Sequence, residues 1–95
     1  MLFVQIFDGN GFEVEFISSN KDEIPTAAIK IVEKMTNRSN LVFGPIRTEH
    51  EMSQWFVERG AIGEIVDPNH DEYNCGLAIT IKTVKVNEPL HGWEI

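Results

Sequence analysis

Cysteine is nearly absent from this chain, which excludes a disulfide scaffold. Cys75 is the only cysteine, so no intramolecular disulfide can form. The first residues, Leu2 to Phe7, resemble a strand and show neither the basic start, the apolar stretch nor the cleavage site of a secretory leader. No apolar run approaches the roughly 18 residues that a membrane-spanning helix needs. Together these absences predict a cytoplasmic protein with no membrane partner.

Positive charge is also scarce. The chain has 8 Lys and Arg residues against 15 Asp and Glu residues, which gives a formal net charge of −7 at pH 7. Direct binding to nucleic acid is therefore not expected, because phosphate binding depends on clustered Lys and Arg side chains. The acidity has two explanations, and the sequence leaves both open. It keeps a small protein soluble, or it attracts a partner with a basic surface.

The length of the chain, 95 residues, predicts one domain, residues 1–95, with one hydrophobic core. Neither an internal repeat nor a linker interrupts it. Successive segments predict strands and helices in the order ββαβαββ. We therefore expect an α+β two-layer sandwich, in which a mixed sheet of about five strands carries two helices on one face.

The longest strand-favouring segment is residues 76–86. Its large apolar side chains recur at every second position from Leu77 to Ile81, which is the period of a strand with one buried face. This segment predicts the central strand of the sheet. Shorter apolar segments at 41–43 and 61–66 predict two further strands.

The start of the chain predicts a β-hairpin around the turn-forming residues 8–11. A two-residue turn would place the apolar side chains of the first strand beside Glu13 and Glu15. A three-residue turn with Gly11 in a left-handed conformation instead gathers six apolar side chains on one face, and we predict this second register. The shared face then carries Leu2, Val4, Ile6, Phe12, Val14 and Phe16.

An amphipathic segment after the hairpin predicts the first helix. Pro25 suits the first turn of a helix, and the apolar pattern ends near Asn37. The buried stripe of this helix is expected to contain Ile24, Ala28, Ile31, Val32 and Met35.

The second helix is predicted by a capping box at residues 48–51, where Thr and Glu side chains can satisfy each other's backbone amides. The aromatic pair of this helix, Trp55 and Phe56, is expected to face Ile79 and Ile81. This arrangement would place both helices on the same face of the sheet.

One loop has part of the pattern of a calcium site. Oxygen-bearing side chains stand at the first, third, fifth and seventh positions, in Asp67, Asn69, Asp71 and Tyr73. Glu72 occupies the position that needs glycine for the sharp turn, and Ala78 occupies that of the bidentate glutamate. The segment is therefore predicted to be an acidic loop that binds no metal.

The other groups that could carry chemistry are also incomplete. Potential transition-metal ligands lie in four separate segments, at His50, His70, Cys75 and His91. They lack the short spacing of a zinc site. Cys75 with His70 and Asp71 is the only local set that resembles a nucleophile with its base. Residues 8–11 lead into a strand and not into the helix that a phosphate loop requires. The sequence thus predicts no catalytic residue, no metal and no cofactor.

The sequence thus describes a small acidic domain in which no catalytic residues are recognised. In these respects it resembles the antagonists that bacteriophages and mobile elements encode against host machinery. We predict a non-enzymatic protein-binding module, an inhibitor or adaptor that engages the basic surface of a larger host protein, such as a protein that normally binds nucleic acid. Two alternatives stay open. One is an enzyme or ligand-binding domain whose site forms at a homodimer interface, and the other is a structural subunit.

The predicted binding surface is the sheet face opposite the helices. In the predicted register Phe3, Phe7 and Ile17 lie there beside Glu13 and Glu15, which gives an apolar centre with an acidic rim. Further acidic residues predicted to contact the partner are Glu64, Asp67, Asp71 and Glu72. A second copy of the chain could use the same face, and alternatively the tail could cover it through Leu90, Trp93 and Ile95.

Overall fold

Five strands form one antiparallel sheet in a computed structural model that describes residues 1–47, 51–69, 76–85 and 87, apart from the side chains of Glu51 and Met52. The strands are β1 (Leu2–Phe7), β2 (Glu13–Ser18), β3 (Val42–Gly44), β4 (Gly63–Val66) and β5 (Leu77–Thr83), and the helices are α1 (Ile24–Thr36) and α2 (Glu51–Glu58). The α+β class and the element order ββαβαββ are confirmed. The order of strands across the sheet is β2-β1-β5-β4-β3.

Every neighbouring pair of these strands is antiparallel, so the expectation of a mixed sheet is wrong. The difference arises at the helical connection between β3 and β4. A helix between two strands suggests a parallel crossover, but α2 and its flanking loops return the chain to the end of the sheet that β3 had reached. β4 therefore runs antiparallel to β3.

The β1–β2 hairpin has the predicted register. Ile6 pairs with Val14 and Val4 pairs with Phe16, so their side chains share one face of the sheet. The Asp8 carboxylate fixes the turn, because its Oδ1 accepts hydrogen bonds from the backbone amides of Asn10 at 2.7 Å and Phe12 at 3.0 Å. Gly11 adopts a φ of 107°, a conformation that residues with a Cβ rarely take.

Helix α1 covers the face of the sheet that carries Val4 and Ile6, called here the first face. Buried side chains of the helix, of three strands and of the segment before β3 form one core, made of Val4, Ile6, Ile24, Ala28, Val32, Leu41, Ile65 and Ile79. Ile31 is only partly buried and Met35 is 59% exposed, so the buried stripe of the helix is narrower than predicted. The helix ends as expected at Asn37, which is left-handed with a φ of 56°.

The connection from α1 to β3 is held by the helix itself. The Glu33 side chain accepts a hydrogen bond from the backbone amide of Leu41 at 3.1 Å. Leu41 is 8% exposed and belongs to the core, although it lies one residue before β3. These contacts of Glu33 and Leu41 position the start of β3, which pairs with β4.

Helix α2 packs against the opposite face of the sheet, called here the second face. The rings of Trp55 and Phe56 contact the ring of Phe7, with centroids 5.7 Å away in each case. Phe7 follows Ile6 directly, and successive side chains of a strand point to opposite faces. The expectation that both helices lie on one face, with Trp55 and Phe56 facing Ile79 and Ile81, is therefore wrong.

The sequence of β1 explains why the second face needs a helix. Apolar side chains occupy both alternating sets of this strand, so it has apolar groups to bury on each side. A helix on the first face alone would leave Phe3 and Phe7 to be covered by something else. Helix α2 supplies part of this cover, and the layers run α1, sheet, α2.

Candidate functional site

The second face has three rows of side chains across the adjacent strands β2, β1 and β5. The cross-strand pairs place Ile17 beside Phe3 and Lys82, Glu15 beside Gln5 and Thr80, and Glu13 beside Phe7 and Ala78. In the last row, the aromatic side chains of α2 contact Phe7, whereas Glu13 is exposed. The other rows combine polar, charged and apolar groups, a composition typical of a binding surface.

An aromatic cluster anchors α2 on this face. Trp55, Phe56 and Phe7 contact one another edge to face, with centroid separations of 5.6 to 5.7 Å. Phe56 is completely buried, whereas Trp55 and Phe7 are partly exposed. Such aromatic pairs each contribute about 0.5–1.5 kcal/mol beyond the area that they bury. The cluster therefore holds α2 in a defined position while leaving one side of Trp55 and Phe7 accessible.

A groove lies between the C-terminal half of α2 and the β1–β2 hairpin. Its part near the hairpin turn has a volume of about 500 Å³, and an adjoining recess towards Lys82 has about 430 Å³. Gln5, Arg59 and Thr80 line both parts and so join them. The first part is also lined by Phe7, Phe12, Glu13 and Trp55, and the recess by Phe3, Gly60, Ile81 and Lys82.

Arg59 contacts Trp55 in two ways at the groove. Its guanidinium carbon lies 3.4 Å from the centre of the Trp55 ring, in a cation–π contact. Its Nη1 also donates a hydrogen bond to the backbone carbonyl of Trp55 at 3.3 Å. Gly60, two residues after the end of α2, has a φ of 78°, the left-handed conformation common after a helix terminus. The two contacts orient an otherwise flexible cation over the groove.

The two ends of the groove differ in charge. Glu13 lies at the hairpin end, where its carboxylate accepts a hydrogen bond from the Gln5 side chain. Arg59 and Lys82 meet at the recess. Among the side chains that the structure describes, neither cation forms an ion pair with a carboxylate.

Of the predicted partner-binding residues, Glu13, Glu15 and Ile17 lie together on β2. Glu13 is exposed, Ile17 is 46% exposed, and Glu15 is partly buried. β2 is one edge of the sheet, since its only strand partner in the described residues is β1. This strand therefore presents an acidic and apolar row together with an open backbone edge.

Phe3 and Phe7 belong to the same face but are less accessible than predicted. Phe3 is 6% exposed, and Phe7 is partly buried beneath Trp55 and Phe56. The expected open apolar centre is therefore reduced to Ile17 and the accessible side of Phe7. Phe7 is less exposed than predicted because α2 packs directly on its ring.

Glu64 was expected on the acidic surface, but the structure encloses it. It is 1% exposed, and its Oε1 accepts hydrogen bonds from the Arg47 side chain at 2.8 Å and the Arg47 backbone amide at 3.0 Å. Small residues flank it across the sheet, Gly44 on β3 and Ala78 on β5, which leaves room for a carboxylate. The buried Ser53 hydroxyl donates to the Arg47 carbonyl and ties α2 to this pair.

The sequence prediction missed this buried ion pair. The pairing spans 17 residues, so no local spacing indicates it. One signal was present, because Glu64 is the only charged residue in the apolar segment 61–66. A lone acid in such a strand needs a cationic partner when it is buried.

Asp67 lies after β4, on the far side of the sheet from β2. The backbone amide of Asn69 donates to its Oδ1 at 3.0 Å, which is a local turn. Asp71 and Glu72 lie outside the described residues, as do Tyr73 of the calcium-like loop and the pair His70 and Cys75. The described acidic residues of the predicted site therefore do not form one exposed patch. Glu64 shares the second face with Glu13 and Glu15 but is buried, and three strand spacings, about 14 Å, separate β2 from β4.

Several other sequence predictions concern residues beyond those described. These are the capping residues Thr48 to His50, the histidines His50, His70 and His91, and the tail with Leu90, Trp93 and Ile95. In the described part of the chain, no three His, Cys, Asp or Glu side chains lie close enough to hold a metal ion. Neither α1 nor α2 has the length and apolar character to cross a membrane.

Comparisons with protein-family models, with curated proteins and with solved structures found no match to this chain. Its function is therefore argued from the chemistry of its own residues.

Proposed function

We propose that this chain is a non-enzymatic protein-binding module that engages a basic segment of a larger partner through β2. The observation that carries the proposal is the composition of this edge strand. It places exposed Ile17 and exposed Glu13 on one side of a strand whose outer backbone edge has no strand partner in the described residues. Apolar contact, charge attraction and strand pairing are then available at one place.

The spacing of the carboxylates defines the kind of segment that fits. Glu13 and Glu15 are two residues apart on one strand face, so their backbone positions are separated by about 6.6 Å. An extended segment with Lys or Arg at alternate positions has the same repeat. Such a segment could add to the edge of β2 and place its cations beside the two acids.

Charge also argues against a second copy of this chain as the occupant. Two chains of net charge −7 repel each other, and pairing β2 with itself brings glutamates of both copies close together. A partner whose basic surface normally binds nucleic acid fits better. Occupying that surface would make the chain an inhibitor.

The proposal is tested by capture from the source cells with wild-type protein and charge-reversed variants. Glu13→Lys reverses a charge on the proposed surface of β2. Glu58→Lys is the matched control, because it makes the same charge change at an exposed position of α2. We expect a protein that is retained by the wild type and the control but lost with Glu13→Lys. The purified partner should bind directly, more weakly at high salt, and lose its nucleic-acid binding when this chain is added.

Equal loss from Glu13→Lys and Glu58→Lys would contradict the proposed surface, since it would reflect net charge alone. Retention by both variants would contradict it as well. Thermal melting of each variant shows whether the fold survives the substitution.

A further inference from the structure

The recess beside β5 brings together two cations in a strongly acidic chain. Arg59 and Lys82 line the same space of about 430 Å³, and no described carboxylate lines it or pairs with either of them. The chain has nearly twice as many acidic as basic residues, so ion pairs would be easy to form. Two like charges at one recess repel each other, and an anion placed between them would remove this repulsion.

The floor of the recess offers hydrogen bonds in addition to charge. Gln5 and Thr80 are direct cross-strand neighbours, and both line the recess and the first part of the groove. A side-chain amide and a hydroxyl can donate to an oxyanion. Lys82 lies two residues beyond Thr80 on the same strand face, so the backbone positions of the two residues are about 6.6 Å apart.

Arg59 is oriented before any ligand arrives. The contact with the Trp55 ring and the hydrogen bond to the Trp55 carbonyl hold its guanidinium at one wall of the groove. A cation that is already positioned loses less conformational entropy when it binds an anion. Guanidinium also matches the planar geometry of a carboxylate.

The adjoining part of the groove is apolar along one side. Phe7, Phe12 and Trp55 line it, at the end away from Lys82. A ligand that fills both parts therefore needs an anionic group and a flat apolar body. The volume of about 500 Å³ lies within the range of small-molecule sites, about 300–1,000 Å³.

We propose that the groove binds a small aromatic carboxylate, with the carboxylate between Arg59 and Lys82 and the ring towards Phe7 and Trp55. The groove shares Glu13 with the partner surface on β2, at the end away from Lys82, whereas Arg59 and Lys82 belong to the groove alone. A carboxylate at the end or on a side chain of a peptide presents the same chemistry as a free acid.

Titration with benzoate, followed by the amide signals of the labelled protein, tests the site. Benzamide has the same shape without the charge, and acetate has the charge without the ring. We expect saturable shifts at Gln5, Thr80 and Gly60 with benzoate, and binding at least about tenfold weaker with benzamide, since one charge-assisted hydrogen bond is worth about that factor. Acetate should also bind more weakly than benzoate.

Substitution of each cation then locates the binding. Lys82→Gln and Arg59→Gln should each weaken benzoate binding about tenfold. The matched controls Lys30→Gln and Arg38→Gln, at exposed positions of α1 and the loop after it, should leave it unchanged. All four positions are exposed, so the melting temperature should stay close to that of the wild type.

Each of three results would overturn the proposal. The first is equal binding of benzoate and benzamide, and the second is that Lys30→Gln weakens benzoate binding as much as Lys82→Gln does. The third is that the amide signals shifted by benzoate belong to residues away from the groove. Failure of this titration leaves the capture experiment on Glu13 unaffected, so the two proposals are distinguished.

Discussion

The two faces of the sheet are built on different principles. The first face is a continuous apolar layer beneath α1, with Val4, Ile6 and Ile79 fully buried. The second face holds an aromatic cluster, a buried ion pair and a groove lined by polar and charged groups. The same strands serve both faces, and only the second combines burial with accessible chemistry.

This difference shows where stability and function are separated. The first face contains no described polar side chain in its core, so its contribution is hydrophobic burial. On the second face, α2 covers Phe7 but leaves Glu13 and Ile17 of β2 exposed. Substitutions under α2 should therefore affect folding, whereas substitutions on the β2 side should affect binding alone.

The largest expected effect tests whether α2 is as firmly packed as α1. Phe56→Ala removes a fully buried ring and should lower the free energy of unfolding by about 3–5 kcal/mol. Ile6→Ala, on the first face, should lower it by about 2–5 kcal/mol. Urea denaturation measures both, with Val57→Ala as the exposed control next to Phe56.

If Phe56→Ala changed the denaturation midpoint no more than Val57→Ala, then α2 would not be a part of the folded core. The comparison of the two faces would then fail. A loss similar to that of Ile6→Ala would show that Phe56 contributes to the folded core as strongly as a buried residue of the first face.

An intermediate effect is expected at the buried ion pair. Glu64→Gln removes the charge that Arg47 contacts through its side chain and its backbone amide. Hydrogen bonds to charged groups contribute about 1.5–3 kcal/mol, and the Arg47 side chain is 30% exposed, so we expect the lower part of this range.

A double-mutant cycle with Arg47→Met and Glu64→Gln separates the pair from its surroundings. The two effects should not add, because each substitution removes the same interaction. Additive losses in urea denaturation would show that Glu64 and Arg47 stabilise the fold independently.

The smallest effect on the free energy of unfolding is expected for the exposed residues of β2. Ile17→Thr keeps a β-branched side chain suited to a strand and removes apolar surface that is 46% exposed. The free energy of unfolding should change by no more than about 0.5 kcal/mol. A much larger loss would mean that Ile17 is part of the core and that the β2 side is not a separate surface.

Local patterns in the sequence were enough to predict the elements of the first face. Apolar alternation specified the register of the hairpin, because any slip by one residue would turn Val14 and Phe16 away from Val4 and Ile6. Pro25 and Asn37 marked the ends of α1, since each suits the backbone geometry of one helix terminus.

The second face could not be predicted in the same way, because it depends on contacts between distant segments. Gln5, Arg59 and Thr80 are ordinary surface residues in their own segments, and only the fold places them around one groove. The position of α2 did have a local signal. Apolar residues at both alternating positions of β1 indicate a strand that is covered on two sides.

The pairing of β1 with β5 has a consequence for how the chain folds. β1 is joined to β2 by a short turn, but its other neighbour pairs Phe7 with Ala78 and Leu2 with Thr83. The hairpin can form early from local contacts. The pairing of β1 with β5 forms later, because it closes a loop of about 70 residues. During synthesis on the ribosome, β1 therefore has an unpaired edge and uncovered apolar side chains until β5 emerges. This interval is when a newly made chain would be most exposed to aggregation and most dependent on chaperones.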